Sequence, residues 1–248
     1  MSANSFRKKE ILWLLANEGQ RSIAELARRF NVAEMTVRRD LHALAEAGQV
    51  LRVPGGAVLI RSITFERDFA DRLRKNSQEK EKIGRAAAAL VGENESIVLD
   101  SGTTTLNIAR HLRGRKDITV ITYSLAVLDD LRAARVEITG GRYRRSSLDM
   151  VGHQVSESLR KIHANKVFLG AATLSFTRGI MVNDPDAPRE LLQAGTQRIL
   201  VMDSSKIGKE ALYFYCQISD CEIIIVDSGI KDEDLRRLRK LAKTIVAE

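Results

Sequence analysis

The stretch 32–48, VAEMTVRRDLHALAEAG, and the stretch 51–57 just beyond it, LRVPGGA, decide how the chain is read. In the first, Val37, Leu41 and Leu44 recur at helical spacing. They predict a helix over 33–47 with one buried face, closed by Gly48 as a left-handed cap. Upstream, Ser22 and Glu25 have the spacing of a capping box, which starts a helix with Ile23, Leu26, Ala27 and Phe30 on its apolar face. An earlier helix over 6–17 presents Ile11, Leu14 and Leu15 and ends at Gly19. Only Asn31 and Val32 separate the second helix from the third. Helices joined by so short a turn cross steeply, and the outer face of the second can then enter the major groove of a duplex. On that helix the candidates for DNA contact are Glu34, Thr36, Val37, Arg38, Arg39 and His42, with Val37 also counted on the inward face. Guanidinium groups placed there fork onto guanine edges or clamp phosphates. Residues 50–58 read as strand, glycine-rich tip, strand: a wing that adds Arg52, Gly55 and Gly56 to the candidates, with Ser22 at the preceding helix start. Asp40 is read as a structural partner of Arg38, Arg39 or Arg52. Three amphipathic helices with basic outer faces also suit a protein-binding module, and spacing alone leaves both readings open.

Charge leans toward the first. Residues 1–61 hold ten Lys/Arg and six Asp/Glu, a net of +4, out of +8 for all 248 residues. Half the net charge in a quarter of the chain favours a polyanionic partner for that part. Hydrophobic residues at 44% and charged residues at 29% are ordinary for a globular protein, and three prolines argue against long disordered linkers. The N-terminus lacks the apolar run of a signal peptide, and no stretch approaches a membrane-spanning length, so a cytoplasmic protein is expected. Cys216 and Cys221 lack the further ligands a metal site needs and read as buried small hydrophobes. Neither a metal nor a cofactor is expected.

Residues 61–76 read as a connector between the winged helix-turn-helix of 1–60 and a second domain over 77–248. In that domain short apolar runs alternate with helical periods. Strands are expected at 96–100, 118–122, 136–139, 166–169, 198–202 and 222–226. Helices are expected at 78–91, 105–112, 125–131, 156–162, 189–194 and 232–241. Such alternation predicts an α/β domain with a mainly parallel sheet covered on both faces. The loop Asp100-Ser101-Gly102-Thr103-Thr104-Thr105 leaves a strand and enters a helix, the edge at which open α/β sheets bind ligands. Free amides, the helix dipole and threonine hydroxyls there suit phosphate oxygens, and Gly102 is expected to allow close approach. The same loop also suits plain capping. Gly140, Gly141 and Arg144 follow one strand end and Lys206 follows another, and the rim would then hold an anion. Surface solvation is the alternative for Arg142, Arg144 and Arg145.

The 32–48 and 51–57 stretches resemble the signature of the DeoR/GlpR family of sugar-catabolism repressors, above all at Thr36-Val37-Arg38-Arg39-Asp40-Leu41. Asp100-Ser101-Gly102-Thr103-Thr104-Thr105, Thr139-Gly140-Gly141 with Arg144, Val151-Gly152, Phe168-Leu169-Gly170, Gly179-Ile180 and Asp203 with Lys206 and Gly208 continue the likeness in family order. The resemblance implies a second domain similar to ribose-5-phosphate isomerase and related sugar-phosphate-binding folds, homodimers or homotetramers, and loss of operator affinity on binding a phosphorylated sugar or polyol. By position it implies effector contacts from Asp100, Gly102, Thr103, Thr104, Thr105, Gly140, Gly141, Arg144, Asp184 and Lys206. Ser101 joins them from the loop, and Arg189 as a replacement for a family lysine. Departures are Ala33 for a capping serine, Pro54 in the wing, Tyr123 for asparagine, and Asn165 for an acidic residue. The prolines of the 183–190 loop are expected to stiffen it.

The expectation is therefore a ligand-responsive transcriptional regulator that is not an enzyme. The alternative is a sugar-phosphate isomerase carrying a DNA-binding domain. It would need a positioned carboxylate base and an electrophile, and the sequence offers no convincing pair. A third possibility, a pure oligomerisation scaffold, would bind no sugar phosphate.

Overall fold

The structure, a computed structural model, describes residues 3–18, 21–47, 49–59 and 69–248. The chain divides into two compact units, Met1–Phe65 and Glu66–Glu248.

The first unit contains α1 (Ala3–Glu18), β1 (Arg21–Ser22), α2 (Ile23–Phe30), α3 (Glu34–Glu46), β2 (Val50–Val53) and β3 (Gly56–Leu59). α2 starts where its capping box forms: the Glu25 amide donates to Ser22 Oγ at 3.1 Å, and the Ser22 amide donates to Glu25 Oε2 at 2.8 Å. It stops at Asn31, whose φ of 49° turns the chain out of the helix. α3 begins after Ala33, which supplies no side-chain cap. Gly48, Gly19 and the segment 60–68, with Phe65, Glu66 and Arg67, lie outside the described residues. Ile11, Leu14, Leu26, Val37 and Leu41 close a core of their own. The wing is a hairpin whose two-residue turn, Pro54-Gly55, needs the positive φ of 77° at Gly55. An unexpected third strand, β1, pairs with β3. There a Cβ at Gly56 would lie 2.2 Å from the Arg21 carbonyl oxygen, so only glycine fits.

In the second unit, α4 (Phe69–Arg74) and α5 (Ser77–Ala88) precede β4 (Ser96–Leu99), α6 (Thr103–His111), β5 (Thr119–Thr122) and β6 (Arg135–Ile138). A hairpin, β7 (Arg142–Arg144) and β8 (Asp149–Val151), leads to α7 (His153–Arg160) and β9 (Ala164–Leu169). β10 (Thr173–Ser175), β11 (Gly179–Val182), β12 (Gly195–Val201), β13 (Tyr213–Cys216), β14 (Ile223–Asp227), α8 (Asp232–Arg239) and β15 (Lys243–Ala247) complete it. The main sheet has seven strands in the order β15-β14-β12-β9-β4-β5-β6, and every neighbouring pair is parallel. Buried apolar clusters lie on both its faces, one around Ile83, Leu99 and Ile108, the other around Leu159, Leu169 and Leu174. β10, β11 and β13 form a separate antiparallel sheet.

Several local expectations are corrected. Residues 125–131 are successive turns rather than a helix. Leu128 and Asp130 bond three residues back, Leu131 both three and four residues back, and the Leu125 amide is drawn instead to the Leu148 carbonyl. Residues 189–193 form a tight 3-10 helix. α4 lies in the stretch expected as connector, yet Phe69 is buried in the second unit's core. The last strand, β15, and the small sheet were not foreseen. No helix among the described residues is long and apolar enough to cross a membrane.

Candidate functional sites

On α3 the exposed side chains are Glu34, Met35, Arg38, Arg39, His42 and Glu46, with Thr36 half-buried. Two i,i+4 contacts lie along this face, Arg38 to Glu34 at 3.7 Å and His42 to Glu46 at 3.5 Å. At such exposure they orient the side chains without committing them. Arg52 on the wing is exposed, as are Pro54 and Gly55 at its tip. Three residues expected at the DNA face have other roles. Val37 is fully buried in the core. Ser22 spends its hydroxyl on the α2 cap, accepting from the Glu25 amide and donating to the Glu25 carboxylate. Gly56 is buried against the Arg21 backbone. Asp40 is also corrected: it is 2% exposed and pairs with Arg7 of α1 at 2.5 Å, not with Arg38, Arg39 or Arg52. It fastens α1 to α3, and Arg38 and Arg39 stay exposed on the outer face. Sequence reading passed over Met35 and also Arg28 and Arg29, which the last turn of α2 leaves exposed.

In the second unit the parallel sheet brings every strand's C-terminal end to one rim. Asp100 leaves β4 there, Tyr123 and Ser124 leave β5, Gly170 leaves β9 and Asp203 leaves β12. The Asp100 carboxylate accepts from the Ser101 amide at 2.7 Å, the Gly170 amide at 2.7 Å and the Tyr123 hydroxyl. Desolvation outweighs those donors and pushes its pKa up to about 6. Tyr123, the departure from the family pattern, is thus a neutral donor to this carboxyl, and burial holds its own pKa well above the usual phenol value. Lys206 reaches in from the 204–206 turn and donates to the Ala171 carbonyl at 2.6 Å. Desolvation lowers its pKa, while the charge of Asp203 opposes the shift. Beside these groups, the hydroxyls of Ser101, Ser124 and Thr173 are buried without a hydrogen-bond partner. Ser101 follows β4 and Ser124 follows the neighbouring strand β5, while Thr173 opens β10 of the small sheet. Buried hydroxyls are nearly always paired in a folded protein, which sets these three apart.

Other expected contacts are engaged elsewhere. Thr105 is fully buried and donates to the Asp100 and Gly102 carbonyls at 2.7 and 3.0 Å, which makes it a cap for α6. Thr103 and Thr104 are buried at the same helix start. Gly102 is extended, with φ of −178°, and a Cβ there would meet only Thr105 Oγ1 at 3.5 Å, so glycine is not required. Gly141, by contrast, has φ of 125° and would bring a Cβ to 2.9 Å from the Val151 carbonyl; Gly140 beside it has φ of 76°. Arg144 does not present an open guanidinium. It grips Asp149 through Nε at 3.0 Å and Nη2 at 2.8 Å, while Nη1 meets Asp184 at 2.5 Å. The second oxygen of Asp184 accepts the Asp186 amide at 2.9 Å, so its carboxylate is tied within its own loop. Arg142 and Arg145 are exposed. Arg189 points at β13, donating to the Phe214 carbonyl at 2.8 Å and stacking on the Phe214 ring. Asn165 lies at the start of β9, on the opposite rim, where it accepts from the Ser96 amide and hydroxyl at 2.9 Å each. The missing family carboxylate there therefore lies away from the C-terminal rim. Cys216 and Cys221 are buried, 2% and 1% exposed.

Known proteins share both units. Residues 7–63 match the DeoR-like helix-turn-helix domain, and residues 75–228 match the DeoR C terminal sensor domain. An uncharacterized HTH-type transcriptional regulator, YgbI of Escherichia coli, is 35% identical over 240 residues, 94% of each chain. The transcriptional repressor AccR of Agrobacterium fabrum is 30% identical over 232 residues, 91% of this chain and 90% of that one. Ribose 5-phosphate isomerase A of Methanocaldococcus jannaschii superposes on 54% of this chain and 55% of its own, with a TM-score of 0.40 and 16% identity. The relatives matched along nearly the whole length are transcriptional regulators, which sets the isomerase alternative aside. The chain belongs to the DeoR family of helix-turn-helix transcriptional regulators, with a DNA-binding unit followed by a sensor domain.

Proposed function

We propose that this regulator represses a carbohydrate or polyol catabolic operon and leaves its operator when a phosphorylated sugar occupies the rim of the seven-stranded sheet. In the first unit Arg38, Arg39 and Arg52 supply phosphate and base-edge contacts, and Glu34, Thr36 and His42 tune sequence preference. Gly55 brings the wing backbone to the duplex. The effector lies between the α6 start and Lys206, taking hydrogen bonds from Ser101, Ser124 and Thr173 and from the amides of Thr103 and Thr104. An ammonium kept in a desolvated rim attracts a phosphate more strongly than it would in water.

The observation that carries this reading is the unpartnered buried hydroxyls of Ser101 and Ser124 past β4 and β5, on the sheet edge where the desolvated Lys206 follows β12. Repression is supported by the name of one relative, the transcriptional repressor AccR. A thermal-shift screen of the full chain against phosphorylated sugars, the matching free sugars and inorganic phosphate tests it. One or more sugar phosphates should raise Tm at concentrations where the free sugar does nothing, as binding to the native state alone requires. No shift with any phosphorylated sugar or polyol would reduce the domain to an oligomerisation scaffold.

A further inference from the structure

β6 ends the seven-stranded sheet, and among the described residues no strand covers its outer side. Its inner side is fixed by two bonds to β5: the Arg135 amide to the Ile118 carbonyl at 3.3 Å and the Thr139 amide to the Thr122 carbonyl at 3.1 Å. In a parallel pair, alternate residues turn both backbone groups the same way. Arg135, Glu137 and Thr139 therefore face β5, and Val136 and Ile138 direct an N–H and a C=O outward. Such an open edge invites another strand. Ile138 is 42% exposed, an apolar side chain of a kind an edge strand facing only solvent seldom keeps.

We infer that this edge is a two-fold interface for a second copy of the chain, with β6 pairing antiparallel to its counterpart about Val136. Charge selects that register. Centring the pair on Arg135 or Glu137 sets a residue opposite its own like charge, and centring it on Ile138 gives neither charge an opposite partner. Centring it on Val136 gives Val136 two backbone bonds to its copy and places Arg135 directly across from Glu137 of the other chain, twice. These are non-hydrogen-bonded positions, where facing side chains come closest. Within one chain Arg135 and Glu137 already meet at 2.9 Å, so pairing builds a ring of four alternating charges. On the other face Ile138 comes to lie over the small Ala134 of the second copy. A self-complementary charge pattern of this kind accepts its own copy and repels strands of one sign. The inference does not rest on the ligand reading.

Sedimentation of the full chain across a concentration series tests it. The protein should associate, and Val136→Pro should yield monomer, because that amide points outward and its loss spares the β5 ladder. Arg135→Glu and Glu137→Arg, each alone, should raise the dissociation constant at least about tenfold by opposing like charges. An equimolar mixture of the two variants should restore dimer, since each then offers what the other lacks. Circular dichroism confirms that each variant stays folded. A monomeric parent chain, variants that associate as the parent does, or a mixture that stays monomeric would each overturn the inference.

Discussion

Replacing Arg7 by methionine should cripple the DNA-binding unit without touching its DNA-facing surface. Arg7 and Asp40 lie 2.5 Å apart, with side chains only 17% and 3% exposed. The substitution keeps most of the apolar stem and removes only the charge, leaving a carboxylate shut in the α1–α3 contact. Breaking a buried pair from one side costs about 3–5 kcal/mol, most of it the desolvated charge left behind. A unit of 65 residues has a stability of roughly 3–10 kcal/mol in all. The loss therefore consumes about a third of it or more. Differential scanning calorimetry of the full chain should show the transition of the first unit moving down or vanishing while that of the second stays in place. Adding Asp40→Leu should restore most of the lost stability, because two apolar groups replace two charges. A loss below about 1 kcal/mol for Arg7→Met, or no recovery in the double variant, would refute the reasoning. The expectation read from sequence, with Asp40 steering neighbouring arginines, predicts instead that Asp40→Asn alters operator preference and leaves stability almost intact.

Gly56→Ala should destabilise the same unit by about 1–3 kcal/mol, since its Cβ would press on the Arg21 carbonyl oxygen; urea unfolding measures it. Lys80 is buried, donates to the Arg72 and Lys75 carbonyls, and has its pKa lowered to about 8 by desolvation. Above that value the unfolded chain holds the extra proton, so stability should rise with pH between 8 and 9.5, by up to about 2 kcal/mol from this group. Lys206 adds to the rise in the same direction, and Lys80→Gln should flatten the slope in urea titrations taken at several pH values. Ser124→Ala should leave Tm unchanged or higher, because it deletes an unpaired buried hydroxyl, and should weaken sugar-phosphate binding about tenfold by calorimetry. Asn165→Asp, on the far rim, should leave that affinity within about twofold, as its two hydrogen bonds survive.

Much of the fold was legible because its signals are local. The Ser22–Glu25 box, the Asn31 turn and the apolar runs of β4, β5, β9, β12 and β14 each lie within a few residues. What escaped is set by distant partners or by segments too short to show a period. Arg7 sits 33 residues from Asp40, and an acid amid arginines looked locally paired. β10 has three residues, too few for alternation, and the half-exposed edge strand β15 follows a helix that ends in charges. Residues 125–131 carried a helical spacing, and Val127 and Leu131 are indeed buried, but tertiary bonds wound the backbone into turns. At the rim, sequence singled out the loops that follow β4, β6 and β12. It did not reveal that Arg144 and Asp184 satisfy one another, or that the open groups are hydroxyls at Ser124 and Thr173.

Fluorescence anisotropy on DNA from the chain's own promoter region tests the central claim most directly. The parent protein should bind with an affinity that falls steeply with salt, as release of counterions from phosphates requires. The sugar phosphate found by thermal shift should weaken that binding, and Arg38→Ala with Arg39→Ala should abolish it in a protein that remains folded. Unchanged promoter binding by the double variant, or affinity indifferent to both salt and effector, would contradict the account.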